Sequence, residues 1–155
     1  MSVEDLLTAA RYWGVRIATA ESCTGGMISA ALTDVAGSSD VFDRGFVTYS
    51  NAAKTALLGV PADLIATEGA VSESVARAMA DGALARSDAA MAVAVTGIAG
   101  PGGSAFKPEG RVCFGLAKHG QPTVVQTVDF GAIGRAQVRQ ATVDHAIALM
   151  VKALG

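Results

Sequence analysis

Aromatic residues are scarce in this chain: they make up 5% of its 155 residues, although hydrophobic residues of all kinds reach 51%. A normal core must therefore be built from Ala, Val, Leu and Ile, which favours helices packed closely on a sheet. Cysteine is equally thin. Cys23 and Cys113 do not amount to a disulfide framework, and two free thiols in a reducing compartment are expected. No apolar run approaches the roughly 20 residues of a membrane span. The acidic start Met1-Ser2-Val3-Glu4-Asp5 lacks the basic residues and apolar stretch of a secretory signal. A soluble, cytoplasmic protein with no membrane partner is the expectation. Basic excess is missing too, since the formal net charge is -2. Nucleic-acid binders draw most of their non-specific affinity from Lys and Arg, so no nucleic-acid partner is expected. The length fits a single domain, residues 1–155, with room for a sizeable core.

Ser2 and Asp5 form a helix-start signature ahead of Leu6, Leu7, Ala10 and Trp13, which recur at helical spacing up to Gly14. Val15 to Ala20 reads as a short buried strand, Met27 to Leu32 as a helix, and Gly45 to Tyr49 as a second strand. Asn51 is a suitable N-cap for a helix over 52–58, and Pro61 and Ser72 mark two further helix starts. Ala89 to Val95 is almost wholly apolar, as in a strand covered on both faces. Arg111 to Lys118 and Thr123 to Phe130 flank His119-Gly120-Gln121-Pro122 as a hairpin, and Arg135 to Leu154 completes the chain as a helix. This order predicts a three-layer α/β/α domain on a mixed, mostly parallel sheet of about five strands with a late antiparallel hairpin.

Chemistry-bearing residues concentrate between these elements. Ser22 sits where the first strand turns into a helix through Cys23-Thr24-Gly25-Gly26. Its hydroxyl can attack a carbonyl while N–H groups near Thr24, Gly25 and Gly26 hold the oxyanion. The plainer alternative is that Ser22 or Thr24 caps the helix. A thiol mechanism at Cys23 needs an activating group such as a histidine. His119 and His145 read instead as surface residues. A lysine made neutral by burial can serve as the base, and Lys54 is the best placed, although a lone helical lysine is commonly solvated. Tyr49 fits a core aromatic with its hydroxyl at the rim. The glycine-rich run from Gly97 through Gly100 to Ser104 can cradle a phosphate together with Thr96, but it lacks a P-loop ending and serves equally as a surface loop. Arg135 and Arg139 share one helix face and suit an anion or plain solvent. No His, Cys and carboxylate cluster has metal-ligand spacing, so neither metal nor cofactor is expected.

Four ordered blocks carry a resemblance: Thr19-Ala20-Glu21-Ser22-Cys23-Thr24-Gly25-Gly26, Gly45-Phe46-Val47-Thr48-Tyr49-Ser50-Asn51, Gly69-Ala70-Val71-Ser72, and Val95-Thr96-Gly97-Ile98-Ala99-Gly100-Pro101. Together they resemble the CinA C-terminal domain family, whose stand-alone members are nicotinamide-nucleotide amidohydrolases. The resemblance implies hydrolysis of the carboxamide of nicotinamide mononucleotide by a serine/lysine acyl-enzyme route. Ser22 then matches the nucleophile and Lys54 the base. Tyr49, Thr24 and Thr96 match residues that assist or line the site, with Gly25, Gly26, Asn51, Gly97 and Gly100 on the substrate side, and Arg135 or Arg139 near the ligand. The chain departs from the family pattern at Gly102-Gly103-Ser104, where the family loop carries an additional Asp, and at Lys107-Pro108-Glu109-Gly110-Arg111, where Lys-Pro-Val-Gly-Thr is usual. Near the C-terminus, Ile133-Gly134-Arg135 stands where Gly-Asp-Arg is common.

Two other functions remain open at this level: a nucleotide-binding or regulatory module without turnover, and a nucleic-acid-binding competence factor, against which the acidic balance speaks. The expected partner is a small nucleotide, and a homo-oligomer, most simply a dimer, is the expected assembly.

Overall fold

Alternation along the strands sorts the sheet into two unequal faces. The computed structural model describes residues 1–104 and 106–155. Its five strands are β1 (Ile17–Glu21), β2 (Phe42–Val47), β3 (Met91–Gly97), β4 (Arg111–Lys118) and β5 (Val124–Asp129), hydrogen-bonded in the order β2-β1-β3-β4-β5. Large side chains such as Ile17, Met91, Val93, Val95, Val112 and Phe114 form one core. It is covered by α1 (Val3–Trp13), α2 (Met27–Thr33) and α6 (Arg135–Leu154). On the other face Ala18, Ala20, Ala92, Ala94 and Ala117 meet α3 (Asn51–Leu58), α4 (Ala62–Glu68) and α5 (Glu73–Ala85).

The small-residue face lets α5 come unusually close. A Cβ built on Gly115 would lie 2.5 Å from the Ala76 carbonyl oxygen, so β4 and α5 meet backbone to backbone. This is how a chain poor in aromatics fills its interior.

The pairings divide evenly: β1/β2 and β1/β3 are parallel, while β3/β4 and β4/β5 are antiparallel. A mostly parallel sheet was the expectation. The difference lies in β3/β4: among the described residues the segment between these strands contains no helix to carry the chain back across a face, and parallel neighbours need such a crossover. Among the described residues no helix is long and apolar enough to cross a membrane.

Helix ends follow their signals closely. Ser2 and Asp5 exchange hydrogen bonds of 3.1 and 3.0 Å as a capping box for α1, and α6 spans the expected residues. Two local readings change. β2 begins at Phe42, paired with Ile17, and ends at Val47; Thr48 keeps one backbone bond to Glu21 O, and Tyr49 lies beyond the strand. The cap of α3 is Ser50, whose Oγ accepts from the Ala53 N–H at 3.0 Å, and Asn51 is already helical.

Because β1, β2 and β3 run parallel in register, with Glu21 opposite both Val47 and Val95, their C-terminal ends lie along one edge. The loops that follow them are gathered there, as ligand-binding loops are in open α/β sheets.

Close packing between α3 and α5 generates a stability test. A Cβ on Gly82 would fall 2.0 Å from the Leu58 carbonyl oxygen. Alanine gains about 1 kcal/mol in helix propensity over glycine, but overpacking against backbone that cannot rotate away costs about 1–3 kcal/mol. Gly82→Ala is therefore expected to lower the urea midpoint, and an increase would show that α3 and α5 are not in this contact.

Candidate active site

The turn after β1 is shaped by a residue that precedes it. Gly25 and Gly26 have φ of 58° and 105°, conformations that favour glycine, and Gly26 caps α2 without a side chain. The first turn of α2 is satisfied instead by the buried carboxylate of Glu21. Its Oε1 accepts from Thr24 Oγ1 at 2.6 Å and Ile28 N–H at 2.8 Å, and its Oε2 accepts from Ser29 N–H at 3.0 Å and Ser29 Oγ at 2.8 Å. The helix-cap alternative for Ser22 and Thr24 thus gives way to Glu21, which reaches further into the helix.

Ser22 is left free for another partner. Its Oγ lies 3.0 Å from Lys54 Nζ. Lys54 stands one helical turn before Leu58, and both are buried, so the lysine occupies a position on the inward stripe of α3. Only 1% of it is exposed, which makes it a core residue and not a solvated charge.

Two backbone carbonyls hold the amine, Thr48 O at 3.0 Å and Tyr49 O at 3.2 Å. As an ammonium, Nζ donates to both carbonyls and to Ser22 Oγ. As a neutral amine it keeps two N–H groups on the carbonyls and turns its lone pair toward the hydroxyl. Burial lowers the Lys54 pKa from its ordinary 10.5. The one charge that would oppose this is the Cys23 thiolate, and burial pushes that thiol up to about 11, so it is neutral at physiological pH. Among the described residues no ion pair includes Lys54. The arrangement puts a hydroxyl in contact with an amine whose proton burial loosens.

A cavity of about 360 Å³ opens beside this pair, lined by Ser22, Tyr49, Asn51, Lys54, Thr96 and Arg135 together with the Gly97–Gly102 segment. Thr96 Oγ1 donates to Ala70 O at 2.9 Å and so holds the Gly69–Ser72 stretch as a wall. Arg135 donates to Gly100 O at 2.7 Å and to the Tyr49 hydroxyl at 3.0 Å. Tyr49 is 60% exposed, so it is a rim residue and not a core aromatic.

Other expected residues stand behind the wall. Thr24, Gly25 and Gly26 do not line the cavity. Thr24 faces Glu21, and the Gly25 N–H is committed to Ser22 O at 3.1 Å. Arg139 braces the turn from α6, donating to Cys23 O at 3.0 Å and Thr24 O at 3.2 Å. Of the two arginines, Arg135 is the one that lines the cavity. Neither histidine is near Ser22 in the cavity wall. His145 is half-buried, with its ring 4.6 Å from that of Phe114 and Nε2 2.9 Å from Gln126 Oε1, contrary to its reading as a surface residue. Cys23 and Cys113 are both free and buried.

Sequence reasoning missed Glu21, the carbonyls of Thr48 and Tyr49, and the loop contacts of Lys107 and Glu109. Glu21 carried a legible signal: a carboxylate ending the apolar strand Ile17-Ala18-Thr19-Ala20 must find donors, and a helix N-terminus lies just ahead. Lys107 Nζ donates to Glu68 O and Val71 O, while Glu109 accepts from Gly102 N–H, folding the loop onto the cavity wall. Backbone carbonyls have no side-chain signature to read.

A mixed α/β domain with a serine and a buried lysine in contact at the ends of its parallel strands has close relatives. Residues 2–154 match the family model described as the CinA C-terminal domain, and the chain belongs to that family. It is 54% identical over 154 residues to a CinA-like protein of Mycobacterium sp. (strain MCS), an alignment that takes in 99% of this chain and 36% of that relative. The chain thus spans about a third of that relative's length. A second relative, nicotinamide-nucleotide amidohydrolase PncC of Enterobacter agglomerans, is 58% identical over 112 residues, covering 72% of this chain and 66% of that protein. The competence/damage inducible protein CihA of Agrobacterium tumefaciens superposes with a TM-score of 0.89 at 49% identity, covering 97% of this chain and 95% of that one. A CinA superfamily protein of Klebsiella pneumoniae gives 0.94 at 35% identity, with 98% and 94% covered.

The lowered Lys54 pKa has a thermodynamic consequence. Between its folded value and 10.5 the unfolded chain binds more protons at this site than the folded one, so this group's contribution to stability rises with pH there. The penalty is complete below the folded value and vanishes above the unfolded one. Urea unfolding from neutral pH to about pH 10.5 is expected to show wild type gaining on Lys54→Met, by at most about 1.4 kcal/mol per pH unit. Parallel pH profiles for the two proteins would show that Lys54 is not perturbed.

Proposed function

We propose that this chain is an amidohydrolase that converts nicotinamide mononucleotide to nicotinic acid mononucleotide and ammonia, with Ser22 as nucleophile and Lys54 as general base. The observation that carries the reading is the 3.0 Å contact between Ser22 Oγ and an almost wholly buried Lys54 Nζ. The name of the Enterobacter agglomerans relative, nicotinamide-nucleotide amidohydrolase PncC, supports the substrate class.

In the first half-reaction Ser22 Oγ attacks the carboxamide carbon as Lys54 Nζ takes its proton. The tetrahedral adduct collapses when the C–N bond breaks, and Lys54 returns the proton to the departing nitrogen, which leaves as ammonia. A water then attacks the ester carbon and gives its proton to Lys54. The Ser22 C–O bond breaks, Oγ recovers the proton, and the carboxylate product is released. Splitting amide hydrolysis through an ester replaces one difficult step with two easier ones.

The cavity suits the rest of the nucleotide. Among the described residues no Asp or Glu lines it, and its volume lies in the range of small-molecule pockets. Arg135 uses two of its five N–H donors on Gly100 O and the Tyr49 hydroxyl, leaving three for a phosphate.

Purified protein is expected to release ammonia from nicotinamide mononucleotide, and both Ser22→Ala and Lys54→Arg to abolish it, because arginine keeps the charge but does not deprotonate. The wild-type kcat/KM should rise with pH along an acid limb that lies below the ordinary lysine value, since the free enzyme must lose the Lys54 proton. Wild type that binds the nucleotide but releases no ammonia would make the chain a binding module instead. Near-normal turnover by Lys54→Arg would remove Lys54 from the mechanism.

Arg135→Ala should raise KM for the mononucleotide about 10- to 100-fold, the scale of a lost charge-assisted contact. KM for nicotinamide riboside, which has no phosphate, should change little. Equal losses on both substrates would place the phosphate elsewhere.

A further inference from the structure

We infer that Glu21 is a positioning residue for Ser22 and Lys54, holding both members of the pair at their working distance through one side chain and one backbone carbonyl. The inference rests on the serine–lysine reading above.

Glu21 is completely buried, and among the described residues no ion pair includes it. Burying a carboxylate without a cation is unfavourable unless neutral donors saturate it. Four do so, two on each oxygen. Capping the seven-residue α2 requires much less than this, since a serine or asparagine at the cap position is enough. The carboxylate accomplishes something a cap does not. All its donors belong to residues 24, 28 and 29, beyond Ser22, while its own Cα belongs to the strand before Ser22. The side chain therefore closes the Ser22 turn into a ring.

The backbone of the same residue reaches the other partner. Glu21 O accepts from Thr48 N–H at 2.8 Å, and Thr48 O accepts from Lys54 Nζ at 3.0 Å. One residue thus sets the turn that carries the hydroxyl and the strand end that carries the amine's acceptor. A side chain held this tightly leaves Ser22 little freedom to drift from Nζ, and small misplacements are costly: about 1 Å can lose a hundredfold in rate.

The test uses Glu21→Gln, an isosteric change that leaves one carboxamide face unable to accept. In either orientation of the amide, the N–H of Ile28 or of Ser29 loses its acceptor. Two readouts are compared at a temperature where the protein is folded: ammonia release from nicotinamide mononucleotide, and the rate of Ser22 modification by diisopropyl fluorophosphate followed by intact mass. In the second, the Oγ–P bond forms as P–F breaks, fluoride leaves, and Lys54 takes the proton.

Both kcat and the modification rate are expected to fall about 100-fold, with KM within about threefold of wild type. Ser29→Ala removes one of the four donors from outside the cavity and is expected to lower both by about tenfold; it decides the matter if Glu21→Gln does not fold. Ser2→Ala, which breaks the cap of α1, is expected to lower Tm while leaving both rates unchanged. The inference is overturned if folded Glu21→Gln or Ser29→Ala loses Tm but keeps wild-type kcat and modification rate, because Glu21 would then be a helix cap and nothing more. Wild type that reacts with the fluorophosphate but releases no ammonia would defeat the substrate assignment alone, and the modification rates of the variants would still decide the role of Glu21.

Discussion

The structure depends on an amine kept almost out of water. Among the described residues Lys54 has no carboxylate to hold its proton; it has two carbonyl oxygens and the Ser22 hydroxyl within 3.2 Å. That set of neighbours satisfies a neutral amine, whose two N–H groups meet the carbonyls and whose lone pair meets the hydroxyl. Desolvation opposes the ammonium, and the same desolvation that would fit Lys54 for the proposed role of base makes it a burden on stability. Sites of this kind are where proteins give up stability for chemistry.

The rest of the fold can be read as the means of placing that contact. Parallel β1, β2 and β3 end together, so the Ser22 turn, the Thr48–Ser50 segment and the loop after Gly97 converge on one edge. The alanine and glycine face of the sheet lets α3, α4 and α5 settle close, which sinks Lys54 below the surface along with Leu58. On the opposite face α6 supplies two arginines with different tasks: Arg139 braces the Ser22 turn through Cys23 O and Thr24 O, and Arg135, one turn earlier, faces the cavity. The turn is clasped by Glu21 from inside the domain and by Arg139 from α6.

Local pattern disclosed most of the elements but only part of the site. The ends of α6, the capping box of α1 and the hairpin of β4 and β5 followed from periodicity and turn residues, because those signals are local. The parallel and antiparallel division of the sheet was less legible, since it turns on whether the segment between β3 and β4 carries a helix. At the site, Ser22 was recognisable as a residue at a strand-to-helix turn, yet the same pattern described a cap. Its place just after the second strand marked Lys54 as the best-placed base and the resemblance of four blocks favoured it over a solvated charge, but its burial depends on α3 lying against the sheet. That is a tertiary fact, and an inward-facing position one turn before Leu58 was its only local trace. Thr24, Gly25 and Gly26 look like ligand-binding residues in sequence because glycine turns often are; here they shape the turn and lie outside the cavity lining. The partition between Arg135 and Arg139 needed the structure, because residues four apart on a helix share a face and differ here only in what each reaches.

The central claim is that Ser22, with Lys54 as base, becomes acylated by a nucleotide carboxamide. Its most direct test is intact and peptide mass spectrometry of the protein quenched in acid during steady turnover of nicotinamide mononucleotide. The account predicts an adduct on the Ser22 peptide equal in mass to the substrate less ammonia, absent from Ser22→Ala. Ammonia release at full rate with Ser22 unmodified, or with the adduct on Cys23, would contradict it.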